Sequence, residues 1–425
     1  PLGLASIPKG GIAVRQLYGI SLAVAAAAVL AACAILEPPD APASVSHVEP
    51  ASSAPASTAE PAEIQLTEPF AEFQSPWPAA SGGEGREALS EPERSLYDEL
   101  RGCALAVSPK ADPGRGQYPM RRAAVEDSLS ETEISRVFEA FVNDFPQYFW
   151  ISAQYQYGTA EGLTVVQLYS ELSPEECAVL TERLEQAAQD IFSGMEESMT
   201  ELEREIFLHD AVLDSCVYDA SGASSWEEYS VCGVLLDGSA VCEGYARTMQ
   251  LLLRLAGIPC RLVSGEADGE LHMWNLVQIG GNWYHLDSTW DDSSDLSRYF
   301  YFNLTDRQIQ EDHSVSTQGL PDCGSEDANY FRNFAIPVSG LSGFSLDTLS
   351  EGIAQSLRRG EEILLLYVEE PLNFQDTAAE LFSAGSPILS DALREAVPQV
   401  DPGLQYTSFV YSLAPSVRGI AVQLQ

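Results

Sequence analysis

The stretch that decides the fold is Gly238-Ser239-Ala240-Val241-Cys242-Glu243-Gly244-Tyr245-Ala246, followed by His272-Met273-Trp274-Asn275 and Trp283-Tyr284-His285-Leu286-Asp287. Tyr245, Met249, Leu252, Leu253 and Ala256 recur at helical spacing, which predicts a helix over 243–256. Gly257 and Pro259 supply its stop, and Gly238 marks a turn ahead of it. Cys242 therefore falls at a helix N-terminus, where unpaired N–H groups and the positive end of the dipole favour a thiolate. The same N–H groups can donate to an oxyanion formed on an attacked carbonyl.

Downstream, 271–279 alternates as a strand that places His272, Trp274 and Leu276 on one face. Gly280-Gly281 is a turn, and 283–289 reads as the returning strand. Such a hairpin sets His272 and Asp287 on neighbouring strands, where the carboxylate can fix the imidazole tautomer. His285 competes for that role, but two residues from Asp287 on one strand its side chain runs parallel to it. It is expected to be a core or supporting group.

The run resembles the catalytic core of the transglutaminase-like superfamily, a papain-related cysteine-enzyme fold, in its bacterial secreted branch. The matching pieces are 238–246, Ala256-Gly257-Ile258-Pro259-Cys260, 272–275 and 283–292, with Leu208-His209-Asp210 upstream. Tyr301-Phe302-Asn303-Leu304-Thr305-Asp306 and His313 continue the likeness downstream. The resemblance implies an α+β core in which a helix bearing the nucleophile packs on an antiparallel sheet. It implies Cys242 as nucleophile, His272 as general base and acid, and Asp287 as orienting carboxylate, with His285, Trp274, Cys232 and Tyr245 as candidates to surround them. This branch carries a tyrosine where the chain has Cys232. A thiol is a weak donor, so backbone N–H groups would carry most of the oxyanion stabilisation.

The implied function is attack on protein or peptide amides, cell-wall peptides among them, through an acyl-thioester. Water as second nucleophile makes a protease or amidase, the outcome the secreted branch favours, and a primary amine makes a transglutaminase. The rival reading is a non-catalytic binding or scaffold module at the cell envelope. No C-x-x-C pair is present, which sets a redox protein aside. No cofactor or metal is expected: the cysteine spacings show no metal pattern. Asp291, Asp292 and Asp295 lack the alternation of a calcium loop and read as a polar turn.

At the N-terminal end, Lys9 and Arg15 precede an apolar run from Leu17 to Val29, then Leu30-Ala31-Ala32-Cys33. This resembles a bacterial lipoprotein signal over 1–32 with Cys33 as lipidation site, so that the chain is membrane-anchored and extracytoplasmic. An uncleaved anchor helix is the alternative. Residues 33–88 are rich in Pro, Ala, Ser and Glu and are expected to be a disordered spacer. The folded part divides into an N-terminal α/β unit at 89–197, the core at 198–315 and a C-terminal α/β unit at 329–425.

Three capping boxes, Ser130 with Glu133, Ser173 with Glu176 and Thr200 with Glu203, predict helix starts. Segments 149–157 and 163–169 predict a hairpin around Gly158. In the C-terminal unit, 363–368, 406–413 and 419–424 read as strands, and 376–383 and 390–397 as helices. The chain has 63 acidic against 22 basic residues, a net charge of −41, which excludes nucleic acid as a partner. A monomer is expected, with the remaining cysteines mostly buried thiols.

Overall fold

A computed structural model describes residues 83–425 apart from 161, 223–224, 295, 316–318, 384–387, 405 and 407, together with short pieces at 46–47 and 70–72. The expected signal segment and Cys33 lie outside the described residues. Among those described, no helix is long and apolar enough to cross a membrane.

Folded structure begins ahead of residue 89, against the expected spacer boundary. Glu84–Glu87 is a short helix whose Gly85 and Arg86 N–H groups donate to Asp144, and Glu84 pairs with Arg261 of the core. In the N-terminal unit α1 (Glu91–Cys103) and α2 (Glu131–Asp144) pack together beside a hairpin of β1 (Ile151–Ala160) and β2 (Leu163–Ser170). Gly158 lies inside β1, paired with Val165, rather than at the turn. The chain turns later, and Gly162, at φ 76°, supplies the left-handed backbone there. Helix α3 (Pro174–Ser193) leads from this unit into the core.

The core is α+β, as expected. Helix α4 (Glu201–Ser215) and helix α5 (Cys242–Leu255) pack on each other. Helix α5 lies across an antiparallel sheet of β3 (Cys260–Ala267), β4 (Glu270–Ile279), β5 (Asn282–Leu286) and β6 (His313–Ser314). The strand order is β5-β4-β3-β6. Most of α5 is buried, so it acts as the central helix of the molecule rather than a surface cover. Two of its arginines reach into the N-terminal unit: Arg247 donates to the Val142 carbonyl and Arg254 to that of Asp144.

The returning strand β5 stops at Leu286, three residues short of the expected end. Asp287 turns out of the sheet because its carboxylate accepts the Thr289 and Trp290 N–H groups, capping α6 (Ser288–Asp291). The C-terminal unit pairs β7 (Ile336–Val338), β8 (Ile363–Val368), β9 (Phe409–Ala414) and β10 (Gly419–Leu424) in the order β7-β8-β10-β9. Helices Phe344–Arg358, Phe374–Leu381 and Ile388–Val400 complete it; strand β7 and the first of these helices were not anticipated.

Candidate active site

Cys242 is the first residue of α5 and is 2% exposed. The residue before it, Val241, holds the extended backbone of an N-cap but offers no side-chain acceptor. Gly244, two residues in, sits against the Glu228 carbonyl and within 3.2 Å of the Ser230 carbonyl at the position a Cβ would take. Only glycine lets the 226–230 segment approach the helix start this closely.

Strand β4 brings His272 to the site. Three residues along, Asn275 donates to the Ala246 carbonyl near the start of α5 at 2.9 Å, which ties the histidine strand to the cysteine helix. His272 Nε2 lies 2.7 Å from Asp287 Oδ2, leaving Nδ1 as the ring atom for a thiol. Asp287 is therefore off the strand yet on the imidazole. Burial alone would raise its pKa, but His272 and His313 outweigh burial and hold the carboxyl well below the usual carboxylate range. An ionised carboxylate only accepts, so His272 Nε2 is the donor. His272 and Asp287 are buried, like the thiol.

The remaining expected neighbours have distinct places. Trp274 stacks on His272 at 5.9 Å between ring centroids, with the planes 20° apart. Its indole N–H donates to His285 Nδ1 at 2.9 Å, and His285 Nε2 faces Asp306 at 3.0 Å. Indole is a donor only, so His285 carries its proton on Nε2. Burial lowers its proton affinity against the pull of Asp306, and it has no bond to Asp287. It holds Trp274 in place. Tyr245 turns from the site and donates to Asp292 at 2.6 Å. Cys232 is buried, with its N–H donating to Ser230 Oγ, and burial pushes its thiol up to about 12. It is a poor acid in this setting, and no contact among those described joins it to His272 or Asp287.

The resemblance named His313 without giving it a role. His313 Nε2 lies 3.0 Å from the same Asp287 Oδ2 that His272 uses, and its Nδ1 lies 2.6 Å from Asp312. The signal available in the sequence was Asp312-His313 itself, an imidazole beside a carboxylate, without any indication of where it folds. His209 on α4 is buried against Asp291 at 3.0 Å, and Asp292 serves Tyr245. The acidic run thus has protein partners at both described positions; Asp295 lies outside the described residues.

Among the described residues, two groups of side chains come within metal-ligating reach of one another: His272 with Asp287 and His313, and His285 with Asp306 and Cys323. In the first, both Nε2 atoms spend their protons on Asp287 and offer no lone pair. In the second, the Trp274 N–H occupies His285 Nδ1, so Nε2 keeps its proton and cannot bind a cation without losing that bond. The donors fit a hydrogen-bonded site better than a metal centre. Two clefts, one beside Arg298, Tyr330 and Arg359 and one beside Arg307, Arg332 and Tyr367, flank the seam with the C-terminal unit; neither is lined by Cys242, His272 or Asp287.

Residues 186–288 match the family model of the transglutaminase-like superfamily. This chain carries a transglutaminase-like domain. The matched span includes the cysteine helix, the β3-β4-β5 sheet and Asp287, and it ends before His313. The kyphoscoliosis peptidases of human and mouse are 28% and 26% identical to the chain over 142 residues. Each match covers 28% of this chain and 22% of the relative, so the chain spans about a fifth of the length of these proteins. A solved structure described as a TGase aligns over 40% of this chain and 50% of its own at 13% identity, with a TM-score of 0.23, too low to support an argument.

Proposed function

We propose that the protein is a cysteine enzyme that acts on amide bonds of proteins or peptides through an acyl-thioester. The observation that carries this reading is the 2.7 Å pairing of His272 with Asp287, on a strand tied to a helix that begins with Cys242 and has no side-chain cap. The Cys242 thiolate adds to the amide carbonyl carbon, and a carbon–sulfur bond forms. The oxyanion is received by N–H groups at the start of α5. The carbon–nitrogen bond then breaks as His272 gives its proton to the departing amine. A second nucleophile surrenders a proton to His272, attacks the thioester and returns the thiolate. Asp287 keeps the imidazole in the tautomer and orientation these transfers require.

Water as that nucleophile gives a peptidase or amidase, which is the reading we favour. Amine transfer stands second, because the thiol and His272 are 2% and 6% exposed and a covered thioester resists water. We also propose that the chain is held outside the cytoplasmic membrane through Cys33, with a lipid on its thiol; mass spectrometry of the mature N-terminus tests this. For the chemistry, Cys242→Ser should abolish amide turnover and acyl-thioester trapping by hydroxylamine while leaving the thermal midpoint nearly unchanged. Retained turnover in this variant would sink the assignment.

A further inference from the structure

We infer that His313 is a positioning residue of this site: an imidazolium held between Asp287 and Asp312 that locks the Asp287 carboxylate and sets the pH range over which Cys242 is a thiolate. The inference rests on the Cys242–His272–Asp287 reading above and adds to it a fourth member from outside the matched segment.

Donors and acceptors can be counted at both carboxylates. Asp287 Oδ1 accepts from the Thr289 and Trp290 N–H groups at 3.0 and 3.2 Å. Its Oδ2 faces His272 Nε2 at 2.7 Å and His313 Nε2 at 3.0 Å. Four partners leave no position for a proton on the carboxyl, so each imidazole must donate. On the other side His313 Nδ1 faces Asp312 Oδ1 at 2.6 Å, while Asp312 Oδ2 accepts the Tyr301 hydroxyl at 2.6 Å. Asp312 is also an acceptor at both oxygens. His313 then donates from both nitrogens, and a ring that does so is a cation.

Its surroundings agree. Burial would lower the His313 pKa, but its hydrogen bonds to Asp287 and Asp312 outweigh it and carry it up to about 9. The groups packed against the ring are Trp274 and His272 from β4, Trp290 from α6 and Tyr301, at 5.1, 5.5, 4.7 and 5.6 Å between centroids. Only Asp287 and Asp312 among its hydrogen-bond partners bring charge. His285, the other nearby titratable ring, is held neutral by burial.

The sheet is built to permit this reach. His313, on β6 at the edge opposite to β5, pairs with Ala267 of β3, and β3 and β4 lie between the two edges. Opposite His272 on β3 stands Gly265. A Cβ there would meet the Ser314 carbonyl and come within 2.7 Å of the Trp274 ring. The missing side chain lets β6 and the Trp274 ring close over β3, and so lets both edges of the sheet meet at one carboxylate oxygen.

A cation sharing Oδ2 offsets the charge His272 would otherwise feel and adds positive potential near the thiol. His313→Gln keeps an N–H donor for Asp287 and removes the charge. At an effective dielectric of about 20, a charge at the 5.5 Å that separates the His313 and His272 rings shifts a neighbour by on the order of one pH unit. In the full chain, the midpoint of the acid limb of Cys242 alkylation by iodoacetamide, read by peptide mass spectrometry, should therefore move up by about one unit in His313→Gln. An unchanged midpoint in a folded variant overturns the inference and leaves the triad standing. A wild-type Cys242 with no low-pH limb overturns the triad itself. Should His313→Gln fail to fold, 15N-histidine NMR of the wild-type chain decides. Both His313 nitrogens protonated at pH 7.5 supports the inference, and a single protonated nitrogen overturns it.

Discussion

Two kinds of helix start occur in this molecule. Helices α2, α3 and α4 open with Ser130, Ser173 and Thr200, whose hydroxyls accept the N–H of Glu133, Glu176 and Glu203, while those glutamates reach back to the cap. These starts are sealed. Helix α5 opens with Val241, which seals nothing, and its first residue is Cys242. A valine cap forgoes about 1 kcal/mol that Ser or Thr would contribute. The stability left out at this end leaves N–H groups and dipole open, as at the Phe344–Arg358 helix, whose Gly343 start also lacks a side-chain cap. These three scaffold starts are satisfied by the chain itself; in the chemistry we propose, the open start of α5 receives a thiolate or an oxyanion.

The sharpest way to break that contrast is at the imidazole. Asp287→Asn leaves the shape of the site but presents an amide N–H to His272 or fails to hold its tautomer. Turnover of a peptide amide should fall by a factor on the order of 10³–10⁴. A loss of less than about tenfold in kcat/KM would mean that Asp287 merely caps α6.

Sealing the open start is a finer test. Val241→Thr conserves shape and puts a hydroxyl where the N–H groups of Glu243 and Gly244 can find it. The thermal midpoint should hold or rise slightly, while kcat/KM drops about two- to five-fold, the equivalent of about 0.3–1 kcal/mol at a helix terminus. Equal activity in the two proteins would show that the open cap has no part in the chemistry.

The smallest effect is expected at a sealed start. Thr200→Ala should cost about 1 kcal/mol in denaturant unfolding and leave kcat/KM within about twofold. A large activity loss there would erase the distinction between the two kinds of start.

The legibility of the sequence follows the same division. The helix starts could be read because capping is local: Ser-x-x-Glu and Thr-x-x-Glu spacings show it in four residues. The start of α5 could be read from its apolar period, and Gly257-Ile258-Pro259 from its stop. Asp287 was legible as a partner of His272 but not as a cap, although Asp287-Ser288-Thr289 carries a helix-start signature that the strand reading overrode. The role of His313 was beyond reach. The residue sits on a strand of two residues, too short to show a period, and it meets Asp287 only because Gly265 lets the far edge of the sheet close in. The place of His285 was equally hidden, since it depends on which way one indole N–H points. Long-range convergence at a single oxygen leaves no local pattern in the chain.

The cysteines offer the most direct measurement. Seven lie buried among the described residues without disulfides, and burial pushes Cys177, Cys232 and Cys323 up to about 12 and Cys216 to about 11. Limited alkylation of the native wild-type chain with iodoacetamide, followed across pH by peptide mass spectrometry, compares Cys242 with these thiols in one tube. A thiolate–imidazolium pair predicts that Cys242 is labelled first and that its labelling persists down to about pH 5, well below an ordinary thiol near 8.5. Labelling of Cys242 no faster than that of the structural cysteines, at any pH, would contradict the account.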